Sequence, residues 1–286
     1  MTISSSSMLV ELNISVWTGN KVDKTVTRQV TDDNSATSDA GQFRKNLTAG
    51  SSLRKELADY AAACRLRHNQ LTMPWADRGP RLLPTSLFFD YKTEMNGRQT
   101  YFEDKQEQFF RDYPRLLADA PKHLGALYDP EDYPSVEEVR SKFGFRLVFT
   151  PVPESGDFRL DLPKQELEDM RRQYDTAFDS RLAEAMREPW DRLHKTISAM
   201  TKKLVDVEDA PDGAVTRWHD TFIGNAAELC KMLTHLNLTK DPTLEQARRD
   251  LEKAIAGVNI DDVKEDPSVR TDLKDKLNTM LKQYEW

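Results

Sequence analysis

The stretch that decides the fold is PKQELEDMRRQYDTAFDSRLAEAMREPWDRLHKTISAMTKKLVD, residues 163–206. Apolar residues recur in it at intervals of three and four, the spacing of one face of an α-helix. At about 1.5 Å per residue, this helix would be roughly 66 Å long. Pro189 interrupts it, so we expect a kink near residues 185–189. The apolar positions are Leu167, Met170, Tyr174, Phe178, Leu182, Met186, Trp190, Leu193, Ile197, Met200 and Leu204.

A second long helix is predicted at residues 85–113. Large apolar side chains repeat there every seven residues, the spacing of a coiled-coil seam. We expect the helix to stop before Pro114, because proline lacks the backbone donor that a helix interior needs. The helices at 85–113 and 163–206 are predicted to pack antiparallel as an elongated arm. The residues of the seam are Phe88, Met95, Phe102 and Phe109.

Alternating apolar and polar residues predict a strand at 9–16, and further strands are predicted at 145–150 and 158–162. We expect these strands to form one small antiparallel sheet. Residues 73–84 contain three prolines and a glycine. This composition is typical of an irregular crossing rather than of a helix or a central strand.

The last part of the chain is predicted to be helical after an acidic break at 206–213. Asp241-Pro242 and Asp266-Pro267 have the order of an N-cap followed by a first helical residue. The predicted class is therefore α+β with helix strongly dominant. The predicted C-terminal helices are 214–236, 242–256 and 266–284. The predicted divisions of the chain are a flexible N-terminus at 1–7, an α+β body with the arm at 8–206, and a C-terminal helical region at 214–286.

The composition limits the class of protein. The 286 residues carry a net charge of −7, with 38% hydrophobic and 31% charged residues. Aromatic residues occur throughout, which excludes a disordered chain. The acidic balance argues against a large surface that follows nucleic-acid phosphates. The sequence has no signal peptide and no apolar run of about 20 residues, so we expect a cytoplasmic protein without membrane contact.

The reactive residues form no recognisable catalytic or metal motif. Cys64 and Cys230 are isolated, which indicates small buried side chains in a reducing compartment. Cys64 and His68 lie four residues apart, but two further zinc ligands at matching spacing are missing. We therefore predict that the protein binds no metal and no cofactor and is not an enzyme.

One segment has the composition of a contact site. Trp75, Arg78 and Arg81 combine an aromatic ring with two guanidinium groups in the proline-rich crossing. Such residues are enriched at protein interaction hot spots, and they also occur where a base is stacked and a phosphate is held. The structural alternative is a tryptophan in the core with arginines that pair with carboxylates. All three interpretations stay open at the level of the sequence.

The long helix supplies a second set of candidates. Its apolar face is longer than a partner helix at 85–113 can cover, so the surplus must meet the C-terminal helices or another subunit. A symmetric dimer is the commonest closed assembly, and we predict a homo-oligomer. The interaction candidates on this face are Trp190, Leu193, Ile197 and Met200.

Four segments stand out as a set: MLVELNISVWT at 8–18, LTMPW with RLLP at 71–84, YPSVEEVRSKFGF at 133–145, and PVPESGDFRLDL at 151–162. Together they resemble a family of uncharacterised phage and bacterial proteins, catalogued as a domain of unknown function, over about residues 8–205. The resemblance implies a phage origin and a location in the host cytoplasm. It also implies a genomic neighbourhood with AAA+ ATPases of the MoxR type. It assigns no catalytic residue.

These observations predict a non-enzymatic interaction protein of the phage type. It would act as an oligomeric scaffold or as an adaptor, with an AAA+ ATPase as a candidate partner. The first alternative is a nucleic-acid-associated protein that uses residues 75–81. The second alternative is an enzyme with an unrecognised site, whose sign would be a closed pocket with strongly perturbed carboxylates.

Overall fold

The computed structural model describes residues 3–76, 79–153, 163–204 and 221–286. Helices make up most of this chain, as the sequence predicted. Three single 3-10 turns occur at Thr85–Leu87, Gly125–Leu127 and Pro130–Asp132. The helices are α1 (Ile3–Ser6), α2 (Lys24–Asp33), α3 (Leu53–Leu71), α4 (Phe88–Leu124), α5 (Val136–Arg140), α6 (Lys164–Lys203), α7 (Thr221–Leu236), α8 (Pro242–Ile255), α9 (Ile260–Glu265) and α10 (Pro267–Gln283).

The strands form a four-stranded antiparallel sheet of order β4-β5-β1-β6 and a separate two-stranded sheet of β2 and β3. The strands predicted at 9–16 and 145–150 are β1 and β6, and they are neighbours in the larger sheet. The strand predicted at 158–162 lies outside the described residues. The strands are β1 (Ser7–Ser15), β2 (Asn20–Val22), β3 (Arg44–Asn46), β4 (Met73–Pro74), β5 (Arg81–Pro84) and β6 (Gly144–Pro151).

The proline-rich crossing is more regular than predicted. Its second half is β5, which lies between β4 and β1 and is therefore a central strand. The prolines do not interrupt it, because Pro84 is its last residue and Pro74 lies on β4 at the edge. The register pairs Leu82 with Leu9 of β1 and with Met73 of β4. The residues between the prolines keep the N–H groups that a central strand needs.

The chain divides into two compact units, and each unit is assembled from separate stretches. Unit 1 contains Met1–Val10, Gln70–Phe89 and Phe149–Trp286. Unit 2 contains Glu11–Asn69 and Asp90–Val148.

This division differs from the predicted boundaries at 8–206 and 214–286. Sheet pairing joins β1 to β5 across a long stretch of chain, and the C-terminal helices cover α6, so they cannot form a separate region. The N-terminal segment predicted to be flexible at 1–7 is ordered from Ile3, and Ser7 already belongs to β1.

The core of unit 1 is built around the second half of α6. Leu193 and Ile197 are fully buried, and α7, α8 and α10 supply most of the side chains around them. The predicted N-caps of α8 and α10 are confirmed: the carboxylate of Asp241 accepts a hydrogen bond from the Thr243 amide, and that of Asp266 accepts one from the Ser268 amide. The short helix α9 was not predicted.

The core region of unit 2 contains three of the four residues of the predicted α4 seam. Met95, Phe102 and Phe109 are buried, whereas Phe88 is only partly buried and belongs to unit 1. The prediction that this helix stops before Pro114 is wrong. The helix continues to Leu124, with Pro114 and Pro121 inside it. Apolar residues beyond the first proline remain buried, so their packing offsets the backbone hydrogen bond that proline removes. These residues are Leu116 and Ala120.

The prediction that α4 and α6 are each other's main packing partners is wrong. Side chains of α4 pack in unit 2 with those of α3 and β1, whereas α6 packs in unit 1 against α7, α8, α10 and β4. Helical periodicity identified both apolar faces correctly but does not identify the element that covers each one.

A buried ion cluster ties together the polar part of unit 2. The ammonium of Lys45 contacts the carboxylate of Asp132 and lies 3.4 Å from that of Asp23. Lys21 reaches Asp132 from the surface at 2.7 Å. The side chains of Lys45 and Asp132 are only 7% and 6% exposed, so each charge depends on the other. The cluster connects β2 and β3 to the turn at Pro130–Asp132.

We expect Ile197→Ala to lower the melting temperature by several degrees, because removing a fully buried Ile side chain costs about 2–5 kcal/mol. The matched control is Phe89→Ala in the same unit, where the ring is 78% exposed. That change should alter the free energy of unfolding by roughly 0.5 kcal/mol or less. Thermal denaturation followed by circular dichroism makes the comparison. Equal effects of the two changes would contradict the burial of α6.

We expect Asp132→Asn to destabilise unit 2 by several kcal/mol at neutral pH, towards the lower end of about 3–5 kcal/mol because Asp23 still faces Lys45. Burial alone would raise the pKa of Asp132, but hydrogen bonds from Lys21 and Lys45 hold it below its ordinary value of 3.8. The stabilisation is therefore present above that value and is lost as the pH falls below it.

Urea unfolding of the wild type and of Asp132→Asn from pH 7 to pH 2.5 tests this. The stability difference should be largest at pH 7 and should shrink in acid. Lys21→Gln, which removes the half-exposed partner, is the control and should cost no more than about 1 kcal/mol.

Candidate functional site

The structure places the tryptophan of the predicted contact segment in the interior. Trp75 is 4% exposed and packs edge to face against Phe178, with 5.3 Å between the ring centroids. Arg81 donates hydrogen bonds from Nε to Oγ1 of Thr72 at 2.8 Å and from Nη2 to the Thr72 carbonyl at 3.1 Å. Arg78 lies outside the described residues. Neither Trp75 nor Arg81 offers its polar or aromatic group freely to a partner in this conformation.

The candidates on the face of α6 separate into two groups. Leu193, Ile197 and Met200 are buried under helices of the same unit, so the surplus apolar face is covered within the chain. Trp190 is only partly buried, and it lines an open pocket. Of the predicted interaction residues in the described part of the chain, Trp190 and Met200 both line cavities, but Met200 is itself only 4% exposed.

This cavity, the Trp190 pocket, has a volume of about 310 Å³. It lies in unit 1, between α6, the α7–α8 connection and the residues that follow α10. Its volume falls in the range of roughly 300–1,000 Å³ that small-molecule sites occupy. The lining residues are Ala183, Met186, Arg187, Pro189, Trp190, Asp191, Leu236, Asn237, Thr239, Asp241, Leu244, Glu285 and Trp286.

Two tryptophans of the pocket belong to an aromatic cluster. The ring centroids of Trp190 and Trp286 are 5.7 Å apart, with 78° between the ring planes. Tyr284 packs against both rings at 6.0 Å and 5.8 Å. His194, which is not among the lining residues, stacks on Trp286 at 5.0 Å with 30° between the planes. The edge-to-face arrangement is favourable and holds the rings against one another.

The polar ends of two of these rings are fixed as well. The Tyr284 hydroxyl donates to the Asp250 carboxylate of α8 at 2.5 Å, and burial together with this carboxylate raises the pKa of Tyr284. The Trp286 Nε1 donates to the Leu281 carbonyl at 3.1 Å. The aromatic wall is therefore held in place before any ligand arrives, which reduces the entropic cost of binding.

Asp241 connects the Trp190 ring to the backbone at the start of α8. Its carboxylate accepts one hydrogen bond from Trp190 Nε1 at 3.2 Å and another from the Thr243 amide at 2.8 Å. The Asn237 side chain bonds both the amide and the carbonyl of Asp241. In the same turn, Lys240 has a φ of +56°, which is uncommon for a residue with a side chain. The hydrogen bonds of this turn stabilise a backbone conformation that would otherwise be unfavourable.

The charges of the lining are predominantly negative. Asp191, Asp241 and Glu285 contribute carboxylates, and Arg187 is the one cationic residue of the lining. The Arg187 Nε lies 3.7 Å from the Asp191 carboxylate, and both side chains are largely exposed. Glu285 forms no ion pair with a described residue. A carboxylate accepts up to about four hydrogen bonds, so Asp241 retains acceptor capacity beyond its two internal partners.

The nucleophilic groups of the pocket lining are the Thr239 hydroxyl and the carboxylates of Asp191, Asp241 and Glu285. Its lining contains no Cys, His, Ser or Lys. Both cysteines are buried elsewhere, as predicted. Burial raises the pKa of the Cys64 thiol and raises that of Cys230 to about 11, so neither is an activated thiolate. In the described part of the chain, no three His, Cys, Asp or Glu side chains are grouped closely enough to hold a metal ion.

Comparison with known proteins does not assign the chain to a family. No protein-family model, no curated protein and no solved structure matches the chain. The resemblance to the phage and bacterial family therefore stays a prediction. Of the helices that the structure describes, none is both long and apolar enough to cross a membrane.

The sequence identified Trp190 but missed the residues that make it a site. Asp241 was interpreted as a helix cap only, and Glu285 and Trp286 were not singled out. Trp190 and Asp241 are 51 positions apart, so no local spacing links them. The one available signal was the pair of aromatic residues at 284 and 286, at the end of the helix predicted at 266–284.

We expect Trp190→Ala to lower the melting temperature clearly, because truncating a buried Trp costs about 3–5 kcal/mol and a partly buried one somewhat less. Trp190→Phe keeps an aromatic ring but removes the hydrogen bond to Asp241, whose net value is about 1 kcal/mol. Its effect should therefore be the smaller of the two. Differential scanning calorimetry measures both. A value near zero for Trp190→Ala would mean that the ring does not pack on Tyr284 and Trp286.

Proposed function

We propose that the protein is a non-enzymatic interaction protein, an adaptor or scaffold, which receives part of a partner polypeptide in the Trp190 pocket. The observation that carries this proposal is the prearranged aromatic wall beside an open cavity of about 310 Å³. Tryptophan is among the residues most enriched at the energetic centres of protein interfaces. Rings that are already fixed lose little conformational entropy on binding.

The contacts of Trp75 and Arg81 weigh against the nucleic-acid alternative. A stacking platform needs an accessible ring, and Trp75 is buried against Phe178. A phosphate contact needs an available guanidinium, and that of Arg81 is bonded to Thr72. The Trp190 pocket is itself rich in carboxylates, which would repel a phosphate backbone. A protein partner is therefore favoured.

Self-association remains part of the proposal, but its original argument is weaker. The apolar residues that a second subunit was expected to cover are covered by α7, α8 and α10. A dimer would need another surface. The phage origin, the cytoplasmic location and an AAA+ ATPase as partner are proposals that rest on the resemblance of residues 8–205 alone.

Partner capture with charge-matched variants tests the function. The pocket variant carries Asp191→Lys and Glu285→Lys, which place two cations at the rim. The control variant carries Glu265→Lys and Asp275→Lys, two exposed carboxylates of the same unit away from the pocket. Both variants change the net charge by the same amount. Tagged full-length proteins are expressed in cells, and the recovered partners are quantified by mass spectrometry.

We expect at least one partner to be recovered with the wild type and with the control variant but roughly tenfold less with the pocket variant. A loss of that size corresponds to about 1.4 kcal/mol of binding free energy. Circular dichroism must show that both variants are folded. Identical recovery with the pocket and control variants would remove the Trp190 pocket from the function.

A further inference from the structure

We infer that the ligand of the Trp190 pocket is a positively charged side chain, an arginine or a lysine, of the partner polypeptide. This inference rests on the proposed function, because it names the chemistry that the same pocket recognises. Three features of the described residues support it: the sign of the lining charges, the two indole rings, and the shape of the cavity.

The charges favour a cation over any other class of ligand. A group inside the pocket meets Asp191, Asp241 and Glu285, while Arg187 already faces Asp191 at 3.7 Å. A carboxylate or phosphate would be repelled, because the three carboxylates and Arg187 leave the lining with a net charge of −2. A neutral apolar side chain would remove water from these carboxylates without replacing their hydrogen bonds. A guanidinium or ammonium group supplies those hydrogen bonds and the opposite charge.

The aromatic residues of the lining fit the same ligand. A cation is attracted to the face of an indole ring within about 6 Å of the ring centroid, and Trp is the strongest of the aromatic residues in this respect. Trp190 and Trp286 both line the cavity, beside the carboxylates. The Trp190 Nε1 donor is already bonded to Asp241, so this ring offers a ligand no free hydrogen-bond donor.

The shape of the site excludes a bare metal ion as the intended cation. Calcium requires about six to eight oxygen ligands at short distances around one point. The described residues contain no group of three or more His, Cys, Asp or Glu that meets such a requirement. The carboxylates instead surround a volume of about 310 Å³, which is large enough for a long side chain and its flanking backbone.

The test uses the full chain and three small probes: the Nα-acetyl amides of arginine, lysine and citrulline. Citrulline has nearly the shape of arginine but no charge, so it separates charge recognition from shape recognition. Binding is followed by the indole N–H signals of the tryptophans in nitrogen-15 NMR spectra. The signals of Trp190 and Trp286 report on the pocket, and the buried Trp75 and Trp17 are internal references.

We expect arginine and lysine to shift the Trp190 and Trp286 signals in a saturable manner, with the references unchanged. Citrulline should bind at least tenfold more weakly. Raising the salt concentration should weaken the charged probes, because exposed carboxylates are screened. Asp191→Asn with Glu285→Gln should weaken arginine binding by roughly two- to thirty-fold, as expected for two exposed charge pairs. Glu265→Gln with Asp275→Asn is the matched control and should leave it unchanged.

Equal shifts with citrulline and arginine, or no saturable shift with either cation, would overturn the cationic ligand. These results are distinguishable from a failure of the proposed function. Pocket-dependent partner capture without cation binding would keep the function and reject the ligand class. Saturable cation binding without pocket-dependent capture would keep the ligand chemistry at the pocket and reject the adaptor role, and with it the assignment of the cation to a partner polypeptide.

Discussion

The apolar face on the second half of α6 is the constraint on which the rest of unit 1 depends. Leu193 and Ile197 have no exposed surface, so other elements must cover them along several helical turns. The helices α7, α8 and α10 do so, which is why residues far apart in the sequence form one core. Burying such side chains is the dominant favourable term in folding. The same packing leaves no surplus apolar face on this half of α6 for a second subunit.

The Trp190 pocket exists because of this packing. Where α6 approaches the α7–α8 connection, Trp190 is only partly buried and lies at the border of the core. Asp241 then has two tasks: it caps α8 and it accepts the indole N–H. Tyr284 and Trp286, after α10, complete the wall. The groups that stabilise the helix termini are thus also the groups that line the cavity, and stability and binding depend on the same contacts.

Hydrogen bonds from two arginines to one backbone carbonyl show that the proline-rich crossing has a structural role. The guanidinium groups of Arg81 and Arg192 both donate to the Thr72 carbonyl, and Arg192 also donates to the Gln70 carbonyl at 2.6 Å. These bonds satisfy backbone acceptors where α3 ends and β4 begins, and Thr72 is fully buried there. Trp75 follows β4 directly and enters the core. The tryptophan and arginine that suggested a contact segment here stabilise the junction between a helix and a sheet.

The sequence by itself determined the predominantly helical class, the extent of α6, the buried seam of α4 and the caps at Asp241 and Asp266. These features follow from periodicity and from hydrogen bonds between residues a few positions apart. Only the tertiary structure decided which helix covers which face, that Arg81–Pro84 is a central strand, and that Trp190 meets Asp241 and Trp286. The physical reason is that apolar burial has no preferred direction and does not select its partner. The local sequence pattern shows which helix face must be buried. It does not show which element covers that face, or where a pocket forms at the edge of the cover, because both depend on contacts between residues far apart in the chain.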